Sequence, residues 1–127
     1  MDFAFHEKPT IEICGKKYEC DPTNNDLIVG AFSDFPRLLQ ASQRLLAALR
    51  MGGDVPKILD ETLRLARDFI VGCLGQDVYD EVFAGRKPNT TEHIELCTHI
   101  YNYLCAGRGA YLSQYEEEQN AADEAAG

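Results

Sequence analysis

Tryptophan is missing from the 127 residues, no C-x-x-C pair occurs, and no apolar run approaches the roughly twenty residues that cross a bilayer. Cations are scarce, twelve Lys and Arg against twenty-one Asp and Glu, for a net charge of −9. Backbone binding to nucleic acid is driven by cations that displace condensed counterions, so this shortage argues against a DNA or RNA partner. The missing span argues against a membrane partner. The opening MDFAFHEKPT has an acid at position 2 and its first basic residue at Lys8, which is unsuited to a secretory signal. A cytoplasmic location is therefore expected, where thiols stay reduced. The five cysteines (Cys14, Cys20, Cys73, Cys97, Cys105) then read as small hydrophobes and not as bridges, in keeping with their odd number.

What is present is a core. Hydrophobic residues make up 45% of the chain and include six Phe and six Tyr, richer than a disordered chain. A chain of this length buries roughly two thirds of its unfolded surface and needs no staple. Five of the nine net charges fall in the last twelve residues (Glu116, Glu117, Glu118, Asp123 and Glu124), which contain no Lys or Arg. The expected organisation is mainly α: one helical domain over residues 1–115, with four to five helices and an N-terminal β-hairpin at about residues 9–21, then an acidic disordered tail over 116–127.

In TIEICGKKYECD, Gly15 and Lys16 suit a two-residue hairpin loop of type II′, which needs φ > 0 at its first central residue. Ile13 would then face Tyr18, and Ile11 would face Cys20. From Leu27 to Leu49 apolar residues recur at helical spacing, with Pro36 predicting a kink or break and Gly52–Gly53 an end. Asp54 is an N-cap for the cleanest amphipathic pattern in the chain, from Ile58 to Cys73, which Gly75 closes. Val78, Tyr79, Val82 and Phe83 fit a short helix with acids in its first turn and Arg86 and Lys87 beyond its end. Gly85 suits a left-handed residue, and Asn89 with Glu92 forms a capping-box variant for a last helix carrying Ile94, Cys97, Ile100, Tyr101 and Leu104. In that helix Gly107 and Gly109 are weak points. The pairing of Gly85 with Lys87 hints at phosphate, but a Walker loop needs a second glycine and a Lys-Ser/Thr pair, whereas Lys87 precedes Pro88.

Reactive constellations are thin. His93 and Cys97, four residues apart, can share a helical face; His99 points about 160° from Cys97, and Cys105 lies two turns on. Core thiols with surface histidines is the expectation. Cys73 falls at a helix C-terminus, where the dipole disfavours a thiolate. No catalytic residue, metal site or cofactor is expected. The first long helix, in contrast, carries more apolar surface than one contact uses: Leu38, Leu45 and Leu49 lie beside Leu39 and Leu46. Either that helix is buried centrally, or one stripe docks a partner.

The hairpin IEICGKKYECD, the central helical segments, the corner VFAG followed by a basic residue, and the Asn-capped last helix together resemble the tail assembly chaperones of long-tailed bacteriophages. The resemblance spans approximately Ile11 to Leu104. Pro36 and the number of cysteines depart from the family's commonest pattern. The resemblance implies a non-enzymatic helper in the host cytoplasm that binds the helical tape-measure protein through apolar surfaces such as Leu38, Leu39, Leu45, Leu46 and Leu49. It keeps that client soluble until tail-tube subunits polymerise, with self-association possible, and some relatives have a longer frameshifted form. The competing classes are a small cytosolic Cys/His metal-binding protein or enzyme, and a structural or regulatory interaction domain.

Overall fold

A computed structural model describes residues 2–5 and 7–107. The expected tail at 116–127 lies outside the described residues, as do Gly109, Tyr111, Leu112 and Tyr115.

Strands β1 (Thr10–Ile13) and β2 (Lys16–Glu19) form the antiparallel hairpin. Its register differs from the expected one. Ile11 faces Tyr18 and Ile13 faces Lys16, so the loop is Cys14–Gly15. Both loop residues have positive φ, 52° and 80°, the requirement of a type I′ turn. A two-residue shift keeps every side chain on its own face, whereas a one-residue slip would reverse them all. Ile11, Ile13 and Cys20 are accordingly buried on the same side, with Tyr18 packed against the core.

Helix α1 (Asn25–Met51) starts where the Asn24 side chain accepts from the Leu27 amide at 3.1 Å. It runs unbroken through Pro36, contrary to the break considered from the sequence. Proline removes one ladder bond, but aromatic contacts on its N-terminal side hold the helix in place: Phe32 packs on Tyr101, and Phe35 on both Tyr101 and Phe69. Gly52, at φ 87°, ends the helix, and its amide bonds the Ala48 carbonyl.

Helix α2 (Val55–Leu74) follows at once, capped by Asp54, whose carboxylate accepts from the Lys57 amide at 3.2 Å. A three-residue connection forces α2 back along α1 as an antiparallel pair. Where the two helices meet, Ala41, Ala48, Thr62 and Ala66 are buried, and small side chains let the axes approach. Thr62 satisfies its hydroxyl on the Ile58 carbonyl at 2.7 Å. Short α3 (Gln76–Val82) leads through Gly85, at φ 72°, to α4, which is helical over 90–107. Asn89 caps α4 by accepting from the Glu92 amide at 3.0 Å. The expected box is half formed, since the Glu92 side chain pairs with Arg86 instead.

Ile100, Leu104 and Cys97 of α4 are fully buried against Phe35, Leu38, Phe69 and Ile70. The hairpin rests on this helix. His99 donates from Nε2 to the Glu12 carbonyl at 3.0 Å, the Tyr103 hydroxyl donates to the Cys20 carbonyl at 2.8 Å, and Lys16 pairs with Glu81 of α3. Gly107 is still helical, and a Cβ built there would lie 2.6 Å from Pro22 Cγ. Glycine therefore permits the contact between α4 and the chain leaving the hairpin. Fold and sequence agree on a small, mainly helical domain with an N-terminal hairpin; four helices are present among the described residues.

Candidate partner-binding surface

On α1, Phe32, Phe35, Leu39, Ser42, Leu46 and Leu49 follow the alternating three- and four-residue spacing that keeps side chains on one line along a helix. The fold uses the start of that line. Phe35 is buried and stacks on Tyr101 at 4.0 Å between ring centroids, and Phe32 meets the same ring at 5.1 Å. Phe32 is nonetheless 41% exposed, and further along Leu39 is 44% exposed, Leu46 48% and Leu49 63%.

The five leucines predicted as a partner surface therefore divide. Leu38 is fully buried in the core and is no part of any surface, correcting the prediction, and Leu45 is only partly exposed. The reason is angular. Leu38 falls on the side of α1 that meets α2 and α4, whereas Leu39, one residue on, is turned about 100° away. Central burial of α1, the other reading of the doubled stripe, does not hold: Val29 and Phe32 in its first half, and Leu39, Leu46 and Leu49 in its second, are exposed.

Across the seam, Leu59 of α2 is 41% exposed. Leu63, one turn later, lines a cleft of about 280 Å³ with Arg67, Phe83, Arg86, Lys87 and His93, where α4 begins. Leu59 thus lies on the side of α2 that α4 occupies further along. Leu59 falls within the amphipathic pattern from Ile58 to Cys73, and periodicity does not show where a covering helix starts.

The cleft has an ordered floor. His93 is buried, not on the surface as expected, and its ring stacks on Phe83 at 4.0 Å. Its Nδ1 donates to the Asn89 carbonyl at 2.7 Å, which leaves Nε2 to accept from the Tyr79 hydroxyl at 2.8 Å. Burial raises the Tyr79 phenol above its ordinary value, so the hydroxyl keeps its proton. Asp80, at the rim, accepts from Gln76 at 2.9 Å. Among the described residues, Arg67 and Lys87 take part in no ion pair.

The sulfur and imidazole groups are dispersed. Cys97 donates to the Ala66 carbonyl at 3.3 Å inside the core, His93 and His99 are engaged in different places, and Cys105 and Cys14 are exposed instead of buried. Burial lifts the Cys20 thiol to about 11, with Asp21 adding to it. Burial likewise lifts Cys73 to about 12 and Cys97 further. These three are uncharged thiols in apolar surroundings, the opposite of an activated nucleophile. Among the described residues no group of three or more His, Cys, Asp or Glu is placed to hold a metal ion, and no helix is long and apolar enough to cross a membrane.

No protein-family model, curated protein or solved structure matches the chain.

Proposed function

We propose that this protein is a tail assembly chaperone of a long-tailed bacteriophage. It acts without catalysis in the host cytoplasm by holding amphipathic helices of the tape-measure protein until tail-tube subunits enclose them. The observation that carries the reading is the line Leu39, Leu46 and Leu49 on α1, each 44% or more exposed, with Leu59 beside it on α2. Evolutionary chance leaves single leucines on surfaces; a row at heptad spacing matches a helix-in-groove mode of recognition. Burying one such leucine contributes about 1.5–3 kcal/mol before association costs are subtracted. Single sites of this size are weak, and repeated copies along one long client gain through avidity.

The test is co-expression with the tape-measure polypeptide encoded beside it. The wild-type chain should keep that polypeptide soluble and co-purify with it, and the Leu46→Glu/Leu49→Glu variant should lose both while remaining folded. A gene neighbourhood of replication or lysis functions, with no tape-measure gene, would sink the reading.

A further inference from the structure

We infer that the seam between α1 and α2 takes one short amphipathic helix, laid end to end with α4, with acidic residues at the end that abuts the Arg67–Lys87 cleft. The inference rests on the proposed function for its biological setting, but its geometry stands on the leucines and the cleft alone.

The apolar line of α1 does not stop where α4 does. Tyr101 stacks on Phe35 and touches Phe32, which stays 41% exposed, and the same line continues through Leu39, Leu46 and Leu49. On α2 the corresponding residues are Leu63, at the edge of the cleft, and Leu59, one turn beyond it. Helix α4 already packs on one half of the pair, and exposed leucines continue along the other half. Leu39 to Leu49 spans about 15 Å at 1.5 Å per residue, which admits an occupant of roughly three turns.

A second copy of the chain fits this surface less well. The four leucines offer on the order of 400 Å², about half of what each partner contributes to a standard stable interface. That area suits a single helix bound weakly.

The charges decide which end of the occupant lies where. Arg86 is matched by Glu92, so it adds no net charge. Arg67 and Lys87 face the cleft with Asp80 as the remaining acid, which leaves a positive balance where α4 starts. Carboxylates on the adjoining end of the occupant would find both cations; lysines there would be repelled.

The experiment uses the full chain and two fluorescent, helix-constrained peptides of about fourteen residues. Both carry leucines at i, i+3, i+7 and i+10 on an alanine background; one has three Glu at one end, the other three Lys. The Glu peptide should bind at least fivefold more tightly at low salt, and Arg67→Gln/Lys87→Gln should erase that preference without abolishing binding. Leu49→Glu, and separately the milder Leu49→Ala, should weaken both peptides, the former by tenfold or more. Equal affinity for the two peptides, indifference to both Leu49 variants, or a dimer in sedimentation that dissociates when Leu49 is charged would each overturn the inference. Peptide binding at the seam with no retention of a tape-measure polypeptide would keep the inference and remove the chaperone. Retention that survives Leu49→Glu would do the reverse.

Discussion

The Phe35 ring lies on the Tyr101 ring with centroids 4.0 Å apart and planes 11° from parallel. This pair ties α4 to α1 one turn before the exposed leucines begin. Phe35 also touches Phe69 of α2 at 5.7 Å, so a single side chain joins three helices. Phe35→Ala should therefore cost about 3–5 kcal/mol, read from the urea midpoint, through lost burial and the cavity left behind. Leu46→Ala, on the same line but half exposed, should cost well under half as much. Similar losses at both positions would mean that Leu46 is as much core as Phe35.

Cys14 adopts φ 52° in a turn whose first position favours asparagine. Its thiol is exposed and does nothing in the turn that demands cysteine. Cys14→Asn should raise stability by about 0.5–1 kcal/mol, since asparagine tolerates the left-handed region better than most residues. If the turn were Gly15–Lys16, position 14 would sit in a strand and the same substitution would destabilise. Thermal melts of the two proteins distinguish these outcomes.

That hairpin also illustrates what the sequence made legible. Alternation placed Ile11, Ile13, Tyr18 and Cys20 on one face correctly, because the face depends on parity alone. The register depended on which residue would accept positive φ, and glycine at position 15 satisfies both choices. The α2 pattern and its caps at Asp54 and Gly75 were readable because cap chemistry is local. Pro36 left a kink and a break both open, and the structure excludes the break; contacts from Tyr101 and Phe69 are long-range and leave no local trace. For the same reason the five leucines of α1 could be found, but not sorted into buried Leu38 and exposed Leu39. The imidazole of His93 was legible as a residue type and not as a buried one, because its partners, Tyr79 and Phe83, arrive from α3 and its C-terminal end.

Stability should fall in mildly alkaline solution because of the thiols. In the unfolded chain they ionise near 9.0, whereas burial holds Cys20 up to about 11, Cys73 up to about 12 and Cys97 higher still. Between these values the folded state keeps protons that the unfolded state has released. With more protons bound folded than unfolded, stability declines as pH rises through 9 and upward. Each fully developed difference is worth about 1.4 kcal/mol per pH unit. Urea midpoints at pH 7.5, 9 and 10 should therefore decline, and Cys73→Ala should decline less steeply than wild type, whatever its absolute stability. A slope unchanged by that substitution would place Cys73 in contact with water.

Gly107 makes the last prediction, in which helix propensity and packing oppose each other. Inside an exposed helix, Gly→Ala gains about 1 kcal/mol, because alanine has less backbone entropy to lose. Here the added methyl would sit 2.6 Å from Pro22 Cγ and 3.0 Å from its Cβ. A proline ring cannot rotate aside as a long side chain does, and Pro22 is itself fully buried between the hairpin and α1. Gly107→Ala must therefore move α4 or the hairpin exit, straining the Tyr103 hydrogen bond to Cys20 one turn earlier. Overpacking of this kind costs about 1–3 kcal/mol, enough to outweigh the propensity gain. The expected result is a lower urea midpoint for Gly107→Ala and partial recovery when it is combined with Pro22→Ala, which removes the Cγ contact while keeping the Cβ. A rise in the midpoint of the single variant would show that α4 does not press on Pro22 in solution.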